Sequence, residues 1–243
     1  MSTTPQDTAA CPSTHAPADA MAGWVCLLGI ICFGIGFWLL MGFVPPPSPA
    51  SDAPDVASRY LDNTMGVRLG TVLALLGATL ILPLFAAMSA AMLRMSTRSY
   101  TLALTQLACG VIALALPIIV LMLYATLVFR PERSAEDILL LSDFAWLMLV
   151  AVAPPPALQA LTIGLAVLTD KSQRPVFPRW FGFFCIWVGI LFLPGMFAIL
   201  FKTGPFAWDG LLAFWLPFGV FFGWLGTTAW LIISLAGSDR AAA

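Results

Sequence analysis

Polar side chains are scarce in the apolar runs of this sequence, and the ones that could do chemistry can be taken singly. In the stretch 138–168, Ser142 and Asp143 precede three consecutive prolines, Pro154, Pro155 and Pro156, and Gln159 and Thr162 follow them. Consecutive prolines withdraw consecutive amide donors and push each preceding residue out of α geometry, so a helix through them must break or kink sharply. In a bilayer such a break survives only where it is buried in protein or lines a cavity. The plain reading is a structural kink healed by a neighbour such as Gln106, from the preceding apolar stretch. The functional reading is a ligand or ion site framed by Gln106, Asp143, Pro154, Gln159 and Thr162, with Asp143 at its mouth and carbonyls freed around Ala151 and Val152. Arg68, Asp143 and Asp209 are the charges nearest the apolar stretches on one side. As a cluster they could hold a polar head group or couple a proton. More simply, Asp209 caps the sixth helix, Arg68 snorkels and Asp143 sits in the interface.

The absences exclude more. The only histidine, His15, lies in a polar N-terminal segment. Haem ligation, zinc proteolysis, Glu-x-x-His metal pairs and Ser–His catalysis all need an imidazole within or at the end of a span. No lysine inside a span offers a Schiff base, no Gly-rich phosphate loop opens a helix, and no paired aspartates stand at protease spacing. The expectation is a protein with no metal, no cofactor and no enzymatic activity. Cys26, Cys32, Cys109 and Cys185 fall within apolar runs and Cys11 in the polar segment, with no CxxC pair. They read as small hydrophobes and not as disulfides. Eleven basic against twelve acidic residues leave no electrostatic footprint for nucleic acid.

These residues must be positioned by the apolar runs themselves. The chain of 243 residues is 60% hydrophobic and 9% charged, and residues 20–51 hold no Arg or Lys and no acid until Asp52. A hydrocarbon core takes about 20 apolar residues per helix. Six spans are expected, at 23–44, 67–92, 102–128, 138–168, 180–201 and 210–236. They make an all-α polytopic bundle whose fourth helix is broken or kinked at the proline triplet. Residues 1–21 read as a disordered tail, 22–237 as one membrane domain and 238–243 as a C-terminal tail. Ser48-Pro49-Ala50 offers a cleavage pattern. The absence of basic residues before the first span, and its length, argue that it is retained. With both termini on the cytoplasmic side, basic residues divide six inside to five outside, a slight positive-inside bias. Trp24, Trp180 and Trp208 stand at span ends, where aromatic belts form.

Three finer patterns complete the reading. Asp52 with Pro54 predicts a short interfacial helix over the bundle mouth, burying Val56, Tyr60 and Leu61. Small residues form stripes at Gly29 and Gly36, at Gly66, Gly70, Ala74 and Gly77, and at Gly219, Gly223 and Thr227. Such seams let helix backbones approach closely in lipid, here within the monomer or across a homodimer. Finally, Gly110-Val-Ile-Ala-Leu-Ala-Leu-Pro117 resembles Gly210-Leu-Leu-Ala-Phe-Trp-Leu-Pro217, and Arg68 precedes Pro83 as Arg179 precedes Pro194. Spans one to three against four to six would form an inverted repeat of the kind common in secondary transporters.

The strings Val67-Arg-Leu-Gly70, Phe129-Arg-Pro-Glu-Arg133, Phe177-Pro-Arg-Trp180 and Phe201-Lys-Thr-Gly-Pro-Phe-Ala-Trp-Asp-Gly210 resemble those of an uncharacterised bacterial family of small six-span inner-membrane proteins. The resemblance implies a shared fold and a bacterial inner membrane, and carries no residue roles. The expected role is binding or transport of a small, largely apolar molecule, by reason of the broken span and an interior rich in Phe, Trp and Met. The alternative is a non-catalytic accessory subunit of a membrane complex. The expected partners are the lipid bilayer, such a molecule, and a second copy or a partner membrane protein.

Overall fold

Long apolar sequence becomes helix in lipid because each backbone N–H and C=O must find its partner within the segment. The computed structural model describes residues 16–130 and 132–241, and what it describes is helical throughout its spans. In chain order the α-helices are α1 (Ala16–Gly34), α2 (Ala53–Leu61), α3 (Thr64–Leu93), α4 (Tyr100–Leu127), α5 (Ala135–Ala151), α6 (Pro154–Thr169), α7 (Arg179–Phe192) and α8 (Leu216–Ala241). Three of them continue into non-α turns: a π-helical segment Ile35–Leu40 after α1, a 3-10 segment Leu193–Ile199 after α7, and a π-helical segment Leu211–Trp215 before α8. Six segments are long and apolar enough to cross a membrane: Pro17–Leu40, Thr64–Leu93, Tyr100–Leu127, Ala135–Thr169, Arg179–Ile199 and Leu211–Ser238. The protein is an all-α, six-span membrane bundle.

The spans close into a ring. α1 packs on α3, α3 on α4, α4 on α5 and α6, α6 on α7, α7 on α8, and α8 back on α1. The fourth span breaks where the proline triplet requires it. α5 ends at Ala151, Val152 turns out of helix at ψ 59°, and α6 restarts with Pro154 in its first turn. The tails differ from expectation. Helix begins at Ala16, inside the segment read as a disordered tail, and α8 runs on to Ala241, past 237. Residues 1–15, with His15, lie outside the described residues.

The small-residue stripes divide into one that packs and one that does not. A β-carbon on Gly77 would lie 2.5 Å from the Phe33 nitrogen and 2.7 Å from the Gly29 carbonyl oxygen, and one on Gly36 would lie 2.6 Å from the Gly70 oxygen. The α1 and α3 stripes therefore face each other with backbones in contact. The Gly219–Gly223–Thr227 stripe on α8 faces outward instead. A β-carbon on Gly219, Gly223 or Gly226 would meet nothing within 4 Å. Packing within the monomer is thus corrected for α8, whose neighbours are contacted through other faces.

The short helix α2 forms as its sequence predicts. Asp52 accepts from the Asp55 amide at 3.2 Å, and Val56 and Tyr60 are buried while Leu61 is only partly so. Tyr60 joins α2 to the fourth span: its hydroxyl lies 2.8 Å from the Ser142 Oγ, and Trp146 Nε1 donates to it at 3.0 Å. Trp24 and Trp180 are exposed in the manner of belt residues. Trp208 is not: it is buried, and its Nε1 donates to the Pro47 carbonyl at 2.8 Å, tying the connection before the sixth span to the one after the first.

Candidate ligand cavity at the helix break

Proline at position i+4 removes the amide that would bond the carbonyl of residue i. In this chain Pro117 and Pro154 remove the α-helical donors of Ala113 and Val150, while Val152 and Ala213 sit in irregular backbone, at the break and in the π-helical segment. Ala113, Val150, Val152 and Ala213 come from three different spans, and all four line one cavity with a volume of about 130 Å³. The rest of the wall is chiefly aromatic. Phe33 and Phe37 reach it from the first span, Phe192 from the fifth, and Phe214, Phe218, Phe221 and Phe222 from the sixth. The rings brace one another, with Phe214 stacked on Phe218 at 5.1 Å and Phe218 edge-on to Phe222 at 4.9 Å.

The irregular backbone of the bundle gathers at this level. The π-helical end of the first span contributes Phe37, the fourth span contributes its break, and the π-helical start of the sixth contributes Ala213 and Phe214. π-helical turns inside membrane helices often mark functional sites. The two strings that suggested an inverted repeat, Gly110–Pro117 and Gly210–Pro217, run antiparallel and both deliver an alanine and a proline to the cavity wall. Gly195, in the 3-10 segment, packs against two residues of this wall. A β-carbon there would sit 2.6 Å from the Val150 oxygen and 3.6 Å from the Ala213 oxygen, so only glycine lets the chain cover these carbonyls.

Of the five residues expected to frame the site, none lines the cavity; Pro156, from the same triplet as Pro154, does. Gln106 and Gln159 do meet, as one structural node. Gln106 Nε2 donates to the Phe85 carbonyl at 2.8 Å and to the Ser89 hydroxyl, and Gln159 Nε2 reaches Gln106 Oε1 at 3.4 Å. The Phe85 carbonyl can only accept, which fixes both amide orientations. Gly110 makes room for this, since a β-carbon there would lie 2.5 Å from Gln159 Nε2. Gln159 is thereby drawn toward α4 and away from the cavity, and its Oε1 is buried without a partner. Thr162 donates back to the Leu158 carbonyl at 2.7 Å, a local bond within α6. Asp143 is half-buried midway along α5.

Arg68, Asp143 and Asp209 do not assemble either. Arg68 donates to the Val128 and Phe129 carbonyls at 2.8 and 3.3 Å, closing the C-terminal end of α4. Asp209 does not cap the sixth helix, because Gly210 holds that position. The opening amides of that span bond elsewhere: Leu212 and Ala213 to the Pro205 carbonyl, Phe214 and Trp215 to the Gly210 carbonyl.

One polar centre escaped sequence reasoning. Asp170, 7% exposed, accepts from the amides and hydroxyls of Ser96 and Ser172 at 2.6 to 3.1 Å and from the Val176 amide at 3.3 Å. Burial alone would push this carboxyl up, but the bonds from Ser172 and Ser96 outweigh it and hold it well below the usual carboxylate range. The centre binds the α3–α4 turn to the α6–α7 connection. Its only sequence signal was the Asp170-x-Ser172 turn after a helix.

Among the described residues no cluster of His, Cys, Asp and Glu is placed to hold a metal. No protein-family model, curated protein or solved structure matches the chain. The fold defines a multi-pass helical membrane protein, and its function has to be argued from the cavity.

Proposed function

We propose that this protein binds a small, largely apolar molecule in the cavity at the break of the fourth span, and carries or presents it within the bilayer. The single observation behind this reading is the Phe-walled cavity itself, placed where the prolines of three spans converge. An apolar cavity of roughly 150 Å³ takes up benzene, so about 130 Å³ suits a body of five to seven heavy atoms. The chemistry proposed is non-catalytic, since the wall carries no nucleophile, acid or base. A bacterial inner membrane with both termini in the cytoplasm is part of the proposal, resting on the small excess of basic residues on the terminal side.

Native mass spectrometry of gently extracted protein tests the reading. A retained small molecule, lost when Ala113→Leu fills the cavity, is the expected result. A protein that retains none, and takes up no small hydrocarbon when offered one, contradicts it. The accessory-subunit reading has one observation in its favour, the open Gly219–Gly223 stripe on α8. A co-purifying membrane protein in place of a small molecule would support that role.

A further inference from the structure

Arg68 heads a groove that lies apart from the cavity. Thr71, Val72 and Leu75 continue its stripe along α3, at the three- and four-residue steps that put side chains on one helix face. Met122, Ala125 and Phe129 form the facing wall on α4. None of these residues lines the cavity at the break. The two helices run antiparallel, so Arg68 and Phe129 stand at the span end of the groove. Leu75 and Met122 lie about two turns further into the spans. Val72, Met122 and Phe129 are exposed, so the groove opens on the lipid-facing surface.

Two polar groups of this groove are not used up by the protein. The Arg68 guanidinium is held by its Nη2, which donates to the Val128 and Phe129 carbonyls. Its Nε and Nη1 donate to no described residue, and no described carboxylate pairs with it. A guanidinium fixed in this way keeps N–H groups for charge-assisted bonds to an anion. Thr71 is 3% exposed, and its hydroxyl has no hydrogen-bond partner. Thr79, Thr126, Thr162 and Thr228 each donate back to the carbonyl four residues earlier, and Thr71 does not. A threonine in a helix has two open χ1 positions, so this hydroxyl can turn to an acceptor offered from the groove.

We propose that this groove holds one anionic glycerophospholipid. Its phosphodiester accepts from Arg68, an ester carbonyl accepts from Thr71, and an acyl chain lies against Val72, Leu75 and Met122. Charge, hydroxyl and hydrocarbon follow one another at successive turns of α3, in the order of phosphate, glycerol ester and acyl chain along such a lipid. The surroundings of the head favour a net negative charge over a zwitterion. Arg130 follows Phe129 directly, and residues 129–133 carry two arginines against one glutamate. Basic pockets between membrane helices capture anionic head groups in this way. The bound lipid pins the start of α3 to the end of α4, and the site is independent of whatever the cavity binds.

The test is native mass spectrometry of the full chain in detergent, titrated with a phosphatidylglycerol and a phosphatidylethanolamine of identical acyl chains. Phosphatidylglycerol is expected to bind about fivefold more tightly, the preference that one arginine near a membrane surface supplies. Arg68→Gln should abolish that preference. Val72→Trp fills the apolar half of the groove, leaves the Arg68 bonds to α4 in place, and should weaken phosphatidylglycerol by a similar factor. It keeps the test decisive where Arg68→Gln loosens the end of α4. Arg179→Gln removes an exposed arginine at another span end and should leave binding as it was. Equal binding of the two lipids overturns the proposal. A loss in Arg179→Gln as large as in Arg68→Gln also overturns it, because diffuse charge would then account for the binding. Phosphatidylglycerol binding unchanged in Val72→Trp overturns it as well, since the groove would play no part.

Discussion

Gly77→Ala adds one methyl group at the tightest point of the α1–α3 seam, and its cost can be worked from the structure. The new carbon would lie 2.5 Å from the Phe33 nitrogen, 2.7 Å from the Gly29 oxygen and 2.9 Å from the Phe33 α-carbon, all backbone atoms that no rotamer change can move. Restoring an ordinary contact of 3.4 Å requires α1 and α3 to separate by about 0.9 Å at this point. A gap of roughly 0.5–1 Å forfeits a quarter to a half of the dispersion attraction of each affected contact. Forced separations of this kind cost about 1–3 kcal/mol, and a seam without a hydrophobic drive to re-close it belongs in the upper half of that range. Gly223→Ala is the control: it places the same methyl group on α8 where nothing lies within 4 Å. The expected difference is about 2 kcal/mol, a roughly thirtyfold shift in the folding equilibrium, read by reversible unfolding of the two variants in mixed micelles. Gly223→Ala as damaging as Gly77→Ala would refute the assignment of packed and open stripes.

The glutamine node yields unequal expectations for its two members. Gln106→Leu removes the donor to the Phe85 carbonyl and the Ser89 hydroxyl and leaves Gln159 Nε2 without its acceptor, and should cost about 1–3 kcal/mol. Gln159→Leu removes an oxygen that has no partner and a single long bond of 3.4 Å to Gln106 Oε1, and should cost less and leave ligand occupancy near the wild type. Asp170 gives a pH dependence. Its folded carboxyl is held below the unfolded value, so its contribution is complete above the ordinary carboxylate range and is lost only as pH falls through the lower folded value. The melting-temperature gap between wild type and Asp170→Asn should therefore be widest near neutral pH and narrow on acidification well below pH 4; a gap that widens in acid would contradict the sign. For topology, single cysteines at Ala18→Cys and Gly237→Cys in a chain freed of its other cysteines should resist an impermeant reagent in intact cells, and labelling at either end would reverse the orientation.

The spans and the break were legible because they depend on local chemistry. Apolar length fixes a crossing in lipid, and three prolines in sequence break a helix whatever surrounds them. Asp52 and Pro54 announced α2 for the same reason. The wall of the cavity was not legible, since it depends on which way each helix faces. Gln159 lies just beyond the break, but Gly110 opens a space on α4 that draws it away. An interior rich in Phe was expected, but which phenylalanines face it, 214, 218, 221 and 222 among them, depends on how the ring of helices turns them. The π-helical turns that aim Phe37 and Phe214 have no sequence signature of their own. The glycine stripes were visible as patterns, but only packing distinguishes Gly77, set against Phe33, from Gly223, set against nothing.

The most direct measurement is a structure determined from crystals soaked with bromocyclohexane, in which anomalous scattering locates the bromine without reference to any expected position. The account predicts one dominant peak between Pro156 and the Phe214–Phe218 pair, absent in Ala113→Leu. Peaks confined to grooves on the lipid-facing surface, with an empty or collapsed space at the break of the fourth span, would contradict it.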